Sequence, residues 1–256
     1  MQQFIRAFQK MHFCNLVICS IAFFVLCVKC IFDATQRVNK KMEAFKMLTK
    51  ESRSQQTFLR NEYDAFGKWN MPIIRKNELD VSKVSLISFT DIKTNDNDEN
   101  KQKGVHFYID DYRMDGLYYN PKKSIQRLSQ YKFLISPDYS LYKDMPQAIQ
   151  LFNVFRSRWC GAYWQSLGLT VIPNVGWGDA STFEYCFDGI EKGAIVAIGT
   201  IGCRRSKTSF MRGYNEMLKR IEPSAIICFG KPFDEMQGNV ISVDYIASRR
   251  VNRYGR

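Results

Sequence analysis

Short apolar runs that alternate with helical stretches constrain the fold of this chain more than any other feature of its sequence. Several runs are apolar at every position, which is typical of strands covered on both faces. Seven such runs are predicted as strands: Val84–Phe89, Val105–Ile109, Phe133–Ile135, Thr170–Ile172, Ala194–Ile198, Ala225–Phe229 and Val240–Val243.

Helical stretches separate most of these runs. Pro146–Leu167 is the longest, Ser206–Ile221 is the most regular and ends before Pro223, and Ser124–Tyr131 is shorter. Strands that alternate with helices predict an α/β fold with a mainly parallel sheet and flanking helices. Because seven strands come close to eight, a small or incomplete β/α barrel is the alternative.

A hydrophobic segment lies near the N-terminus, where residues 13–32 are interrupted only by Asn15, Ser20 and Lys29. Twenty residues in a helix span roughly 30 Å, which is about one bilayer core. We therefore expect an N-terminal hydrophobic helix within residues 1–32 that anchors the protein in a membrane. No small-residue cleavage site follows it, and it is apolar on all faces, which disfavours a signal peptide and a buried amphipathic helix.

The alternative is that this segment is a non-native extension and that translation starts at Met42 or Met47. If the helix inserts, the Lys/Arg-rich flank that follows it predicts a cytoplasmic body. Without it, the protein is expected in the cytoplasm. Four cysteines scattered singly through the body agree with a reducing compartment.

The net charge of +12 belongs mainly to the two ends of the chain. Residues 1–50 hold eight Lys/Arg against two Asp/Glu, and the last eight residues hold four arginines. We divide the chain into the hydrophobic segment 1–32, a basic linker 33–65, a single α/β domain 66–246 and a basic tail 247–256.

Polar residues follow the predicted strands, and parallel strands bring their carboxyl ends to one edge. Asp110, Asp111, Asp138 and Asn174 are therefore predicted to share one crevice as catalytic residues, with Arg156 reaching in from the long helix. Asp110 and Asp138 are the predicted ligands if the cofactor, which the sequence leaves unknown, is a divalent cation. The structural alternative is that these carboxylates cap helices or close turns.

Arg156 also has a structural interpretation, in which it pairs with Asp110 or Asp138 because a buried arginine needs a partner. Gln165, further along the same helix, is the other polar side chain expected at the crevice. A second predicted site is the turn before Ser206–Ile221, whose backbone N–H groups are arranged to bind an anion. Its residues are Gly199, Thr200, Gly202 and Arg204, and an ordinary strand-to-helix turn is the alternative.

Two function classes remain open. The first is an enzyme-like cytoplasmic domain with an acidic, metal-assisted site that acts on phosphorylated or nucleic-acid substrates. The second is a non-enzymatic nucleic-acid accessory protein that uses its basic ends, with Arg249, Arg250 and Arg253 as contacts. The whole chain has two histidines, which disfavours a Ser-His-Asp or Cys-His catalytic site because each needs a histidine base.

A set of short motifs lies between about residues 69 and 230. They are SPDYS, Met145-Pro146, Asn153 with Arg156 and Arg158, Gly161, Gln165 with Gly168, VIPNVGW, FDGI and AIGTIG. With these motifs the chain resembles a bacterial and phage family known only as domain of unknown function 4417. The resemblance implies an α/β fold and a bacterial or mobile-element origin, without implying an activity.

Overall fold

The computed structural model of the protein describes residues 59–244. The predicted N-terminal helix, most of the linker 33–65 and the tail 247–256 lie outside these residues. Between residues 59 and 244, no helix combines the length and the apolar character that crossing a bilayer requires.

The described residues contain nine strands and five α-helices. The strands are β1 (Ala65–Phe66), β2 (Met71–Pro72), β3 (Leu86–Ser88), β4 (Gly104–His106), β5 (Phe133–Ile135), β6 (Val171–Ile172), β7 (Ile195–Gly199), β8 (Ala225–Phe229) and β9 (Val240–Val243). The helices are α1 (Asp98–Lys101), α2 (Asp115–Tyr119), α3 (Ile125–Leu128), α4 (Gln147–Ser166) and α5 (Lys207–Ile221). Each of the seven predicted strands contains or overlaps one of β3 to β9, so the alternation was interpreted correctly.

The strands β3 to β9 are all parallel and lie in the order of the chain. One sheet holds β3-β4-β5-β6 and another holds β7-β8-β9. A parallel bridge between Asn174 and Ala197 joins the two sheets just beyond β6. The prediction of an α/β fold with parallel strands is thus confirmed, and the consecutive order is that of an incomplete β/α barrel.

The inner face of these strands forms one apolar cluster. Across this interior, the His106 ring on β4 lies 4.5 Å from the Phe229 ring on β8, although three strands separate them in the sheet order. The sheet must therefore curve around a closed interior. Six strands contribute to the cluster, through Leu86, Phe133, Ile172, Ile195, Ile227 and Val243 among others.

Alternate strand residues face outward, where helices cover them. Val105 and Leu134 pack with Trp159 and Trp164 of α4, whereas Val196 and Ile226 pack against α5. On α5, Phe210, Tyr214, Met217 and Ile221 form a buried apolar stripe. Burial on both faces explains why the strand runs lack a polar alternation.

Two short elements were not predicted. The hairpin of β1 and β2 has only two residues in each strand. Helix α1 is capped by Asn97, whose side chain accepts a hydrogen bond from the Asn100 N–H. Elements of two to four residues are too short to produce a periodic pattern.

Candidate functional site

A cavity of about 1010 Å³ opens where the strands end at their carboxyl side. We call it the mouth cavity. Its lining includes Ser88, Tyr108, Asp138, Trp177, Gly199 and Phe229, which lie at or just beyond the ends of six different strands. This is the edge at which parallel α/β sheets and barrels place their sites.

A chain of hydrogen bonds lies in the wall of the mouth cavity. The Asn174 side chain donates from Nδ2 to Asp138 Oδ1 at 2.7 Å. The Tyr108 hydroxyl in turn donates to Asn174 Oδ1 at 3.0 Å. The predicted proximity of Asp138 and Asn174 is therefore present in the structure, and Asp138 does not cap α4, which begins after Pro146 without a side-chain cap.

The environment of Asp138 favours its protonated form. Burial raises the pKa of this carboxyl to about 6, and the nearby Asp111 charge adds to the rise, whereas the Asn174 hydrogen bond opposes it. Burial also raises the pKa of Tyr108 well above its usual value, so this hydroxyl keeps its proton. A carboxyl with a pKa near 6 can both give and take a proton at neutral pH.

Asp138→Asn should stabilise the protein at pH 8 and have little effect at pH 4. A carboxyl whose folded pKa is raised contributes less to stability as the pH climbs from about 4 to about 6. The rise of the Asp138 pKa from 3.8 to about 6 therefore lowers the free energy of unfolding of wild type by up to about 3 kcal/mol above pH 6. Urea unfolding at both pH values measures the difference. The fully exposed Asp98→Asn is the control, and an equal effect of Asp138→Asn at both pH values would contradict the prediction.

Arg156 and Asp111 form a structural network beside the cavity. The Arg156 guanidinium donates to Asp115 at 2.7 Å and lies 3.5 Å from Asp111 Oδ2. It also stacks over the Tyr139 ring at 3.6 Å. Asp111 accepts from the Ser140 hydroxyl at 2.8 Å. The expected pairing of Arg156 with Asp110 or Asp138 is wrong, because a 3₁₀ turn at Asp111–Arg113 directs Asp111 toward the helix.

Asp110 lines the mouth cavity at its rim, separately from the Asp138 chain. Its side chain is 70% exposed and lies 3.6 Å from the Arg113 guanidinium. Within residues 59–244, no three His, Cys, Asp or Glu side chains converge as metal ligands would. The structure therefore adds no third ligand to Asp110 and Asp138, and the cation site stays a prediction.

Gln165 does not reach the crevice. Its side chain accepts from the Arg75 N–H at 2.8 Å and donates to the Arg75 carbonyl at 2.7 Å. It ties the end of α4 to the segment after β2. Gln165 is therefore a structural residue, and the expectation that it faces the site is wrong.

The predicted anion-binding residues are divided between two cavities. Gly199 lines the mouth cavity, whereas Thr200 and Arg204 line a neighbouring cavity of about 420 Å³, and Gly202 lines both. The Thr200 hydroxyl is buried and donates to the Lys231 carbonyl at 3.0 Å. The turn thus has a structural bond, and anion binding there stays a prediction.

Sequence reasoning missed Tyr108 as a site residue. Tyr108 was counted as part of a strand, yet it follows β4 by two residues and lines the cavity with His106. The signal was the spacing of two polar aromatic residues two positions apart in an apolar run, which places both side chains on the inner face.

The aromatic residues near the long helix and the mouth cavity separate into two groups. Trp159, Tyr163 and Trp164 are core residues. Trp177 instead lines the mouth cavity and is only partly buried. The nucleic-acid candidates Arg249, Arg250 and Arg253 lie outside the described residues and stay predictions.

Known proteins resemble this chain in two comparisons, one with a family and one with individual relatives. The sequence profile of a family described as "Domain of unknown function (DUF4417)" matches residues 63–246. A "Gene 1 protein" of Mycobacterium phage L5 is 44% identical over 130 residues, which are 50% of this chain and 57% of the relative. A "Gene 1 protein" of Mycobacterium phage D29 is 43% identical over 130 residues, 50% of this chain and 48% of the relative.

The chain thus spans about half the length of the curated relatives that it matches. No solved structure matches it.

Proposed function

This chain belongs to the DUF4417 family, and from that premise and the geometry of the mouth cavity we propose that it is an enzyme. In this proposal a small molecule binds in the mouth cavity, and Asp138 gives a proton to it or takes one from it. The observation that carries the proposal is the Asp138–Asn174–Tyr108 chain in the wall of a cavity at the carboxyl ends of the strands.

The two oxygens of Asp138 have different roles. Oδ1 accepts the Asn174 amide, which fixes the carboxyl group, and Asn174 is itself fixed by the Tyr108 hydroxyl. Among the described residues no hydrogen bond reaches Oδ2, so this oxygen is the one that faces a ligand in the proposal. A group that is positioned at one oxygen and available at the other suits general acid–base catalysis.

The other two residues of this hydrogen-bonded chain, Asn174 and Tyr108, are held by the surrounding structure. The Asn174 N–H donates to the Ser136 hydroxyl at 2.9 Å, and its carbonyl accepts from Arg158 at 2.8 Å. Tyr108 stacks on Phe229 with ring centroids 4.5 Å apart. Such support keeps a catalytic group in place without rearrangement during reaction.

Asp138→Asn should reduce turnover at least 100-fold, because it removes the transferable proton and keeps the Asn174 contact. The assay incubates wild type with a panel of nucleosides, nucleotides and phosphate esters and follows the products by mass spectrometry. The wild-type rate should change with an inflection near pH 6, which is the pKa of Asp138.

The matched control is Asp98→Asn, on a side chain that is 99% exposed and on helix α1. It should leave the rate unchanged. Turnover by Asp138→Asn at the wild-type rate, or a panel that wild type leaves unconverted, would contradict the proposed function.

A further inference from the structure

We propose that the mouth cavity binds a planar nitrogen heterocycle of the nucleobase class, with an N–H edge on Asp138 and one ring face against Trp177. This inference deepens the proposed function and rests on it. It comes from two features of the same wall, a hydrogen-bond acceptor and an aromatic surface.

The acceptor is Asp138. Because Asn174 already occupies Oδ1, a ligand that faces Oδ2 must bring a donor, either N–H or O–H. Asn174 is not among the residues that line the cavity, and its amide holds Asp138 and Tyr108 from behind. At Asp138, the polar recognition is therefore recognition of a donor.

The aromatic surface is Trp177, which lines the same cavity as Asp138. Gly176, the residue before Trp177, also lines it, and a Cβ at Gly176 would be 3.7 Å from Asp138 Oδ1. The residue next to Trp177 thus lies against the carboxylate and carries no side chain. In this proposal, a flat ring whose edge meets Asp138 places one face on Trp177.

The packing of Trp177 fixes its ring. The indole lies 5.0 Å from the Phe210 ring, and a Cβ at Gly213 of α5 would come within 2.3 Å of it. Trp177 is nevertheless only partly buried, and Leu141, Phe210 and Ile201 line the same cavity. An indole that is fixed by its packing and partly exposed among apolar side chains offers a stacking surface. Any of the bases can stack on such a surface, because each has an aromatic face.

Sugars and aliphatic ligands fit this wall less well. The cavity also has polar side chains that hydroxyl groups can bind, among them Ser140, Lys143 and Ser206, but a sugar offers Trp177 no planar ring to stack on. An aliphatic chain would bring no donor to Asp138. A heterocycle with ring or exocyclic N–H groups satisfies both features.

The test measures binding by NMR, with adenosine, guanosine, cytidine and uridine as probes and with ribose and ribose 5-phosphate as non-aromatic comparisons. At least one nucleoside should bind with a Kd below 1 mM and shift the Trp177 indole N–H signal. The Trp69, Trp159 and Trp164 signals should stay in place. Assignment uses Trp177→Phe, and the shifts are read in wild type, so the result does not depend on a variant that folds.

Two variants should weaken nucleoside binding about tenfold. Trp177→Leu removes the ring, and Gly213→Ala displaces it while keeping it. Gly116→Ala is the control, because a Cβ at Gly116 meets nothing within 4 Å. Asp138→Asn should abolish the dependence of binding on pH near 6.

Equal binding of ribose 5-phosphate and nucleosides, unchanged affinity in Trp177→Leu and Gly213→Ala, or no nucleoside binding would overturn this inference. Its failure is distinct from failure of the proposed function. Turnover of a non-aromatic phosphate ester that Asp138→Asn loses would keep the proposed function without the nucleobase. Nucleoside binding with no loss of turnover in Asp138→Asn would keep the ligand class and remove the catalytic role.

Discussion

Replacing Arg158 with alanine should lower the free energy of unfolding by about 4 kcal/mol. Arg158 is 2% exposed, and its guanidinium donates to three backbone carbonyls, those of Asn174, Cys186 and Asp188, at 2.8 to 3.0 Å. Each carbonyl left without a donor in the interior costs about 1–3 kcal/mol. Thermal unfolding should show a decrease in Tm of roughly 10 °C for a domain of this size.

Arg158 differs from Arg156 in that no carboxylate lies within ion-pair distance of it among the described residues. Burial lowers the pKa of Arg158 to about 10, which leaves it charged at neutral pH. The exposed Arg212→Ala is the control and should change stability by less than about 0.5 kcal/mol. A loss below about 1 kcal/mol in Arg158→Ala would show that the three carbonyls find other donors.

Gly189→Ala should cost more than about 3 kcal/mol, for two separable reasons. Gly189 has φ +74°, and a left-handed residue with a Cβ costs about 1–2 kcal/mol. The new Cβ would also lie 2.4 Å from the Pro72 carbonyl oxygen, which is backbone and cannot rotate away. The strand β2 would have to move, together with the hydrogen bond from the Ile74 N–H to the Gly189 carbonyl.

Gly193→Ala separates these two contributions. Gly193 has φ +77°, but a Cβ there meets nothing within 4 Å. Gly193→Ala should lower the free energy of unfolding only by the cost of the left-handed backbone, about 1–2 kcal/mol. Urea unfolding measures the free energy of unfolding of both variants, and the difference between their losses is the cost of the clash with Pro72. Equal losses would contradict the prediction, because they would show that the Pro72 segment moves at no cost in free energy.

The strands were predictable from the sequence because their local pattern is strong. Ala225–Phe229 is apolar at every position and Val84–Phe89 at four of its six positions, and β8 and β3 lie within them. The curvature was not predictable, because it depends on contacts such as His106 with Phe229, which are more than 100 residues apart in the chain. The sequence analysis therefore gave the small or incomplete β/α barrel only as an alternative.

The site was predictable where it depends on strand order alone. Asp138 and Asn174 follow β5 and β6, which are neighbours, so their proximity followed from topology. The partners of Arg156 depend on which way a single 3₁₀ turn rotates Asp110 and Asp111. That rotation is set by tertiary contacts such as Asp111 with Ser140, which no local pattern records.

The bridge between Asn174 and Ala197 has a consequence for how the domain acquires its site during folding. Asn174 lies just beyond β6, and its own N–H and C=O bond to Ser136 and Arg158, whereas its neighbours Pro173 and Val175 make the backbone hydrogen bonds to Ala197 of the second sheet. A folding intermediate that lacks the second sheet would lose these two bonds on either side of Asn174. Assembly of the two sheets is thus the step at which the segment that carries the amide partner of Asp138 becomes held from both sides.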